Sequence, residues 1–409
     1  MKILFLAPRF NKKAGDGVYA LNLAKGLINN GITVDIISFD DNSINHIKFD
    51  YFSKSFFINN RLAIHKNFFS SNYYSYRSKR FLKIIIDHLK PDCVHVHGIH
   101  QYFTISCLIL LKKYKIPIIF TVHDYKVICG NSGFYSGRTN EPCTKCLKGK
   151  QYPILFERCK NNSLLKSLGI FIQMSIWKYT KAVEAITYFH SGSFFVKNLL
   201  GQNEYFKDKI KYIRFPIIKN KVNSINLNEI DIAYIGRFVP HKGIKIFAEA
   251  VKDFTNKIHV FGAGPEEYAA KNILKNNELV EFHGWKKYEE IYQIIGEGSI
   301  VVVPYLAYET FCYVVLEAMV NGGCVIASNR GAISELIQSG YNGILINEPT
   351  SENFTSEIKK LLEQPEKIYS LGQEACKISS TLTSFDTHAV EVANLYSEAV
   401  KNQKLIRKQ

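Results

Sequence analysis

The chain has 409 residues, 46% hydrophobic and 22% charged, with 52 Lys and Arg against 36 Asp and Glu for a formal charge of +16. At about 150 residues per domain this predicts a soluble protein of two to three domains, and the lack of any apolar run of roughly 18 residues argues against a spanning helix and against disorder. The charge favours polyanionic partners such as nucleic acid, anionic lipid or phosphorylated metabolites, without choosing among them.

At the N-terminus an apolar run stops at Pro8 and Arg9, too short for a secretory signal and without a small-residue cleavage site, so a first strand is expected there. Nine cysteines without such a signal read as reduced thiols or metal ligands, which points to the cytoplasm. Strand 2–7 is followed by a helix over 16–30 that places Ala20, Leu23, Ala24, Leu27 and Ile28 on one stripe and ends at Gly31. The alternation continues with strand 33–38, helix 76–89, strand 92–96, helix 101–114 and strand 118–122. Residues 219–229, polar and rich in Asn, read as a linker. Strands at 231–235, 257–261, 280–282, 300–303, 324–327 and 343–346 then alternate with helices at 243–253, 265–275, 288–295, 314–321 and 333–339. The fold class is therefore α/β, two doubly wound Rossmann-like domains covering 1–218 and 219–384, with an interdomain crevice at the strands' carboxyl ends. A last amphipathic helix begins at 385, with Ala389, Val392, Ala393, Tyr396, Ala399 and Val400 on one face.

In the second half, strand 231–235 runs into Gly236-Arg237-Phe238-Val239-Pro240-His241-Lys242-Gly243, which puts two cations at a helix start that already favours anions. A diphosphate clamp and a solvated basic loop both fit this segment. The next strand ends in Gly262-Ala263-Gly264-Pro265-Glu266; Glu267 occupies the place of a third fingerprint glycine, which lowers a nicotinamide reading, and a tight turn or a phosphate contact would each use these residues. Glu309 and Glu317 bracket Phe311, Cys312, Tyr313 and Val314. Glu317 lies in an apolar helix where a carboxylate needs a partner, and ligand hydroxyls would serve. A surface glutamate plus a salt-bridged helix glutamate would give the same spacing.

The ordered set Gly-Arg-x4-Lys-Gly at 236–243, Gly-x-Gly-Pro-Glu at 262–266, His283-Gly284-Trp285, the two glutamates at 309 and 317, Gly331-Ala332-Ile333-Ser334-Glu335 and Gly340-x-Asn342-Gly343 resembles the family 4 retaining glycosyltransferases of the GT-B fold. The resemblance implies that Arg237 and Lys242 hold a donor diphosphate, Glu317 the ribose hydroxyls and Glu309 the transferred sugar. The backbone of residues 311–314 would bind sugar hydroxyls and phosphate, Gly284 and Trp285 would lie near the base, and the terminal helix, 385–409, would cross back to the first domain. His241 and Cys312 depart from the family, which often has an acidic residue and a glycine there.

In the first half, Gly15 and Gly17 match a loop that in the family faces phosphate and acceptor. Thr121-Val122-His123-Asp124-Tyr125 resembles the motif whose histidine lies against the transferred sugar. His95, His97 and His100 also follow a strand, where structural or acceptor-lining roles are both open. Cys129, Cys143, Cys146 and Cys159 could form a structural zinc site or remain thiols. Between 48 and 90, nine Lys or Arg alternate with Phe and Tyr against two aspartates, which suits peripheral docking at the inner face of the plasma membrane or a core with a basic face; no nucleic-acid module accompanies them.

The expected activity is retaining, metal-independent transfer of a sugar from a nucleotide-diphosphate sugar to a glycan or polyprenyl-linked acceptor in bacterial surface polysaccharide (capsule or O-antigen) synthesis, without a required cofactor. The chain has no Asp-x-Asp. A sugar-nucleotide epimerase on the same scaffold and a non-catalytic sugar-nucleotide-binding subunit are the competing readings.

Overall fold

Segments such as Ile300–Val303 are apolar at every position and buried at every position. Such runs are stable only inside a parallel sheet covered on both faces. The structure, a computed structural model, describes residues 1–8, 15–38, 55–57, 74–98, 103–217 and 230–408. Its strands are β1 (Lys2–Leu6), β2 (Thr33–Ser38), β3 (Ser55–Phe57), β4 (Cys93–Val96), β5 (Ile118–Thr121), β6 (Tyr135–Ser136), β7 (Glu141–Pro142), β8 (Tyr188–Ser191), β9 (Ile210–Tyr212), β10 (Ile232–Ile235), β11 (Ile258–Phe261), β12 (Val280–Gly284), β13 (Ile300–Val303), β14 (Cys324–Ser328) and β15 (Ile344–Ile346).

Two compact units result. The first comprises Met1–Ser132, Lys145–Phe215 and Phe385–Gln409; the second comprises Gly133–Thr144 and Pro216–Ser384. The first unit's sheet runs β3-β2-β1-β4-β5-β8-β9 and the second's β12-β11-β10-β13-β14-β15, with every pairing parallel. In each, the strand order reverses beside the unit's first strand. The switch points therefore lie between β1 and β4 and between β10 and β13, where open parallel sheets bind ligands at the strands' carboxyl ends. The short antiparallel pair β6–β7 lies in the inserted piece of the second unit.

Several elements are not among those expected above: strands β3, β8 and β9, and the helices Leu164–Tyr179, Ser351–Leu362 and Pro365–Ser380, of which Ser351–Leu362 buries Phe354, Ile358 and Leu361 at helical spacing. The helix expected over 333–339 is instead a 3-10 turn, Ala332–Glu335. The buried Asn342 is the reason. Its side chain accepts from the Gln338 amide at 2.7 Å and donates to the Leu336 carbonyl at 2.9 Å, taking groups a longer helix would need.

The terminal helix Phe385–Lys408 packs on the first helix, Gly15–Asn29. Gly26 permits the approach, because a Cβ there would lie 2.8 Å from the Ala389 Cβ. The seam is also polar. Tyr19 Oη lies 2.7 Å from His388 Nε2, and His95 lies 2.6 Å from both Tyr396 Oη and Thr121 Oγ1. His190 completes the network through Thr121 at 3.1 Å and the Ile213 carbonyl at 3.0 Å.

Burial first, then neighbouring imidazoles, holds His95 and His97 well below the ordinary histidine range; burial and His190 do the same to His388. Burial pushes His190 down to about 4. In the unfolded chain each would bind a proton near pH 6.5, so between there and about pH 4 the unfolded state holds more protons. Stability is lost as pH falls through that window, by about 1.4 kcal/mol per pH unit for each such histidine. Thermal melting between pH 7 and pH 4 is therefore expected to show a steep loss of midpoint, with proton uptake on unfolding. A flat profile across that range would contradict the buried-imidazole network.

Candidate active site

In the second unit the loops leaving β10 and β13 meet at the switch point. Lys242, at the end of the 3-10 turn Pro240–Lys242, donates from Nζ to Glu309 Oε1 at 2.8 Å, each side chain being 16% exposed. The ammonium sits 3.8 Å from the centroid of the buried Tyr305 ring, a cation–π contact that adds to the ion pair. Tyr305 Oη donates to the Ile235 carbonyl at 3.0 Å, and the buried Tyr234 Oη lies 3.1 Å from the carbonyls of both Arg237 and Lys242. Two tyrosines thus fix the basic loop from below.

Glycines fix it from the sides. Gly243 has φ of +66°, and a Cβ there would lie 2.0 Å from the Pro304 carbonyl oxygen. Gly331 also has φ of +66°, and a Cβ would meet the Glu309 backbone N and O at 2.4 Å. That closeness is used: Glu309 and Gly331 form a parallel bridge, and the Ala332 amide donates to the Glu309 carbonyl at 2.9 Å. Gly236, Gly262, Gly264 and Gly284 belong to one hydrogen-bonded rim, in which the Gly262 amide donates to the Gly284 carbonyl at 2.7 Å and the Phe238 amide to the Ala263 carbonyl at 3.0 Å.

Arg237 is exposed and makes no ion pair among the described residues. His241 is pushed down to about 4, chiefly by burial and then by the charges of Lys242 and Arg237. The helix Tyr313–Val320 begins at Cys312 with no side-chain cap hydrogen bond, so the amides at its start, Tyr313 and Val314 among them, form an anion-favouring end. Cys312 is buried, and its thiol is pushed up to about 12, chiefly by burial. Glu317 lies one turn into the helix. Its carboxylate has no hydrogen bond or ion pair among the described residues, and burial, then Glu289, pushes it up to about 8. The motifs do not single out Tyr234 and Tyr305; the available signal is a phenol at or just past the end of an otherwise apolar buried strand.

Trp285 is 47% exposed, so its indole face is open beside the Gly284 turn. In the first unit, His123 follows β5, half-buried, with Nε2 3.3 Å from His97 Nδ1 and its ring against Tyr19 and Phe215. His95 is buried and structural, while His100 lies outside the described residues. Gly15 and Gly17 open the first helix; residues 9–14 before them, the 219–229 linker and most of the basic aromatic run at 48–90 also lie outside the described residues.

Of the two alternatives for the cysteines, zinc site or thiols, the structure lends the zinc site no support. Cys143 belongs to the second unit, and Cys129, Cys146 and Cys159 in the first do not gather into a three-ligand group. Cys129 Sγ instead donates to Asn131 Oδ1 at 3.0 Å. No helix among the described residues is long and apolar enough to cross a membrane.

The chain is similar to known glycosyltransferases. Residues 217–377 match the family described as glycosyl transferases group 1, and residues 14–141 match glycosyltransferase family 4. An uncharacterized glycosyltransferase of Methanocaldococcus jannaschii is 30% identical over 210 residues, half of this chain and 57% of that protein's length. An uncharacterized 41.2 kDa protein in the cps region of Klebsiella pneumoniae is 28% identical over 66% of this chain and 70% of its own. Among solved structures, Anabaena Alr3699/HepE in complex with UDP and glucose superposes with a TM-score of 0.69 at 15% identity, covering 97% of this chain and all of that one. The fold is GT-B.

Glu317 makes the site's ionisation measurable. Its folded-state value lies above the unfolded one, so between about pH 4.5 and pH 8 the native state holds the extra proton and stability falls as pH rises. Glu317→Gln is expected to raise the melting temperature at pH 9 by at least about 2–4 °C, the shift that 1 kcal/mol gives in a domain of this size, with the gain fading toward pH 5. A gain independent of pH would contradict a desolvated, unpartnered carboxyl.

Proposed function

The chain belongs to the group 1, family 4 glycosyltransferases, and from that premise we propose that it transfers a sugar, with retained anomeric configuration, from a nucleotide-diphosphate donor to a hydroxyl acceptor. The observation that carries this reading is the Lys242–Glu309 pair beside an uncapped helix start and an unpartnered Glu317. Lys242 has three ammonium protons; Glu309 takes one and leaves others for phosphate oxygens. Arg237 supplies the second cation. As the donor bond breaks, negative charge grows on the diphosphate, and these fixed cations with the amides of residues 311–314 stabilise it without reorganising. Glu309 orients the sugar through its hydroxyls, and Glu317 takes the ribose. Gly284 and Trp285 line the base, and the family resemblance assigns phosphate and sugar contacts to Gly15, Gly17 and His123 of the first unit. The two cations and the amides supply the charge compensation that divalent ions provide in other transferases.

A lipid-linked or growing glycan acceptor at an anionic membrane is supported by the first unit's surface. Phe156, Leu164, Leu165, Leu168 and Ile172 are exposed there, Leu165 by 82%, and Lys145, Lys148 and Lys150 line a hollow with Tyr152 and Phe156. Apolar residues flanked by lysines suit a headgroup interface. The relative from a cps region supports a role in surface polysaccharide synthesis.

With uridine-, guanosine-, adenosine- and thymidine-diphosphate sugars as candidate donors, Lys242→Ala and Glu309→Gln are each expected to lower turnover by about 10²–10³, the usual effect of removing one charge-stabilising group. Near-normal turnover in either variant would refute the assignment, and an isomerised sugar nucleotide formed without acceptor would favour the epimerase. Flotation with vesicles containing anionic lipid is expected to recover the protein, and Leu165→Glu with Leu168→Glu to abolish recovery. Flotation that is indifferent to both lipid charge and this double variant would remove the membrane part of the proposal.

A further inference from the structure

On the opposite side of the second sheet's strand order from β15, the edge strand β12 carries Glu281 and His283 on one face, since residues two apart in a strand point the same way. The parallel register sets His259 of β11 beside Glu281. His259 Nδ1 and His283 Nε2 are 3.0 Å apart, and Glu281 Oε2 lies 3.9 Å from the first and 3.6 Å from the second. Among the described residues this is the one group of three metal-capable side chains whose ligand atoms converge.

We propose that His259, Glu281 and His283 bind one divalent transition-metal ion of the zinc class. At metal–nitrogen and metal–oxygen distances of about 2.0–2.2 Å, two ligands of a tetrahedral ion stand roughly 3.3 Å apart, a spacing the three observed separations bracket. Glu281 is 60% exposed and free to swing in, whereas His259 and His283 are 6% and 14% exposed and held. His259 is oriented from behind: its Nε2 lies 3.1 Å from Oδ2 of the buried Asp231, the carboxylate–imidazole arrangement that fixes the tautomer and leaves Nδ1 free to ligate. The His283 ring is braced by stacking on Phe261 at 4.5 Å. Two imidazoles and a carboxylate suit zinc, cobalt or nickel better than magnesium or calcium. The exposure of Glu281 leaves a fourth position open to water. The ion would tie β11 to β12 where the chain enters the Gly284 turn. The site does not depend on the transfer reaction proposed above.

The same atoms could be joined by a proton alone, with His283 Nε2 donating to His259 Nδ1, and the test separates the two. The full chain is titrated with Co²⁺, followed by its visible absorption, and with Zn²⁺ in competition. The expected result is one tight equivalent with cobalt d–d bands and no thiolate charge-transfer band. Affinity should fall at least tenfold in His283→Gln and in Glu281→Ala, fall about 10–100-fold in Asp231→Asn, and stay unchanged in the Cys143→Ser, Cys146→Ser double variant. Glu281→Ala, on the exposed edge, keeps the test valid if His283→Gln fails to fold. A thiolate band, affinity indifferent to Glu281→Ala, or no binding tighter than millimolar would overturn the proposal.

Discussion

An ammonium and a carboxylate 2.8 Å apart, resting on the face of a buried tyrosine, organise the candidate site. Neither charge would be tolerated alone in a half-buried loop junction, because a desolvated ion without its counter-ion is costly. Each loop therefore has to arrive in the place that serves the other. Gly243 lets the β10 loop pass the Pro304 carbonyl, and Gly331 lets the β14 loop bridge the Glu309 backbone. The pair is also a ligand site in waiting: it is neutral as it stands, yet Arg237, which has no ion pair among the described residues, and a helix start without a side-chain cap add positive charge to the same loops.

The two units place ionisable groups under opposite constraints. In the first, imidazoles are packed as neutral hydrogen-bonding groups that tie the terminal helix to β4 and β8 through Tyr19, Thr121 and Tyr396. They are structural, and only His123 with its neighbour His97 stands at the edge of that network. In the second, Glu317 is desolvated without a partner among the described residues, the state expected of a group reserved for ligand hydroxyls.

Much of this was legible because parallel sheets write continuous apolar runs, and those of β10 and β11 are followed directly by glycine-bearing loops. Strand β10 and Gly236 to Gly243 could be read from residues alone, as could Glu309 and Glu317. What could not be read depended on contacts distant in sequence. The 133–144 piece joins the second unit although its neighbours on both sides join the first. Asn342 ends the turn that begins at Ala332 by hydrogen bonds no periodicity announces. Four cysteines in a suggestive spacing are not gathered, whereas His259 and His283, on separate strands, are. The supporting roles of Tyr234 and Tyr305 follow from where their hydroxyls end, which spacing does not encode.

The account rests on the second unit gripping a nucleotide through these particular groups. A crystal structure of the chain with a bound nucleoside diphosphate tests that most directly. The account predicts the diphosphate within hydrogen-bond distance of Lys242 Nζ, Arg237 and the amides of residues 311–314, with the ribose on Glu317. A nucleotide bound at the amino ends of the strands, or held without contact to Lys242 and Glu317, would contradict it.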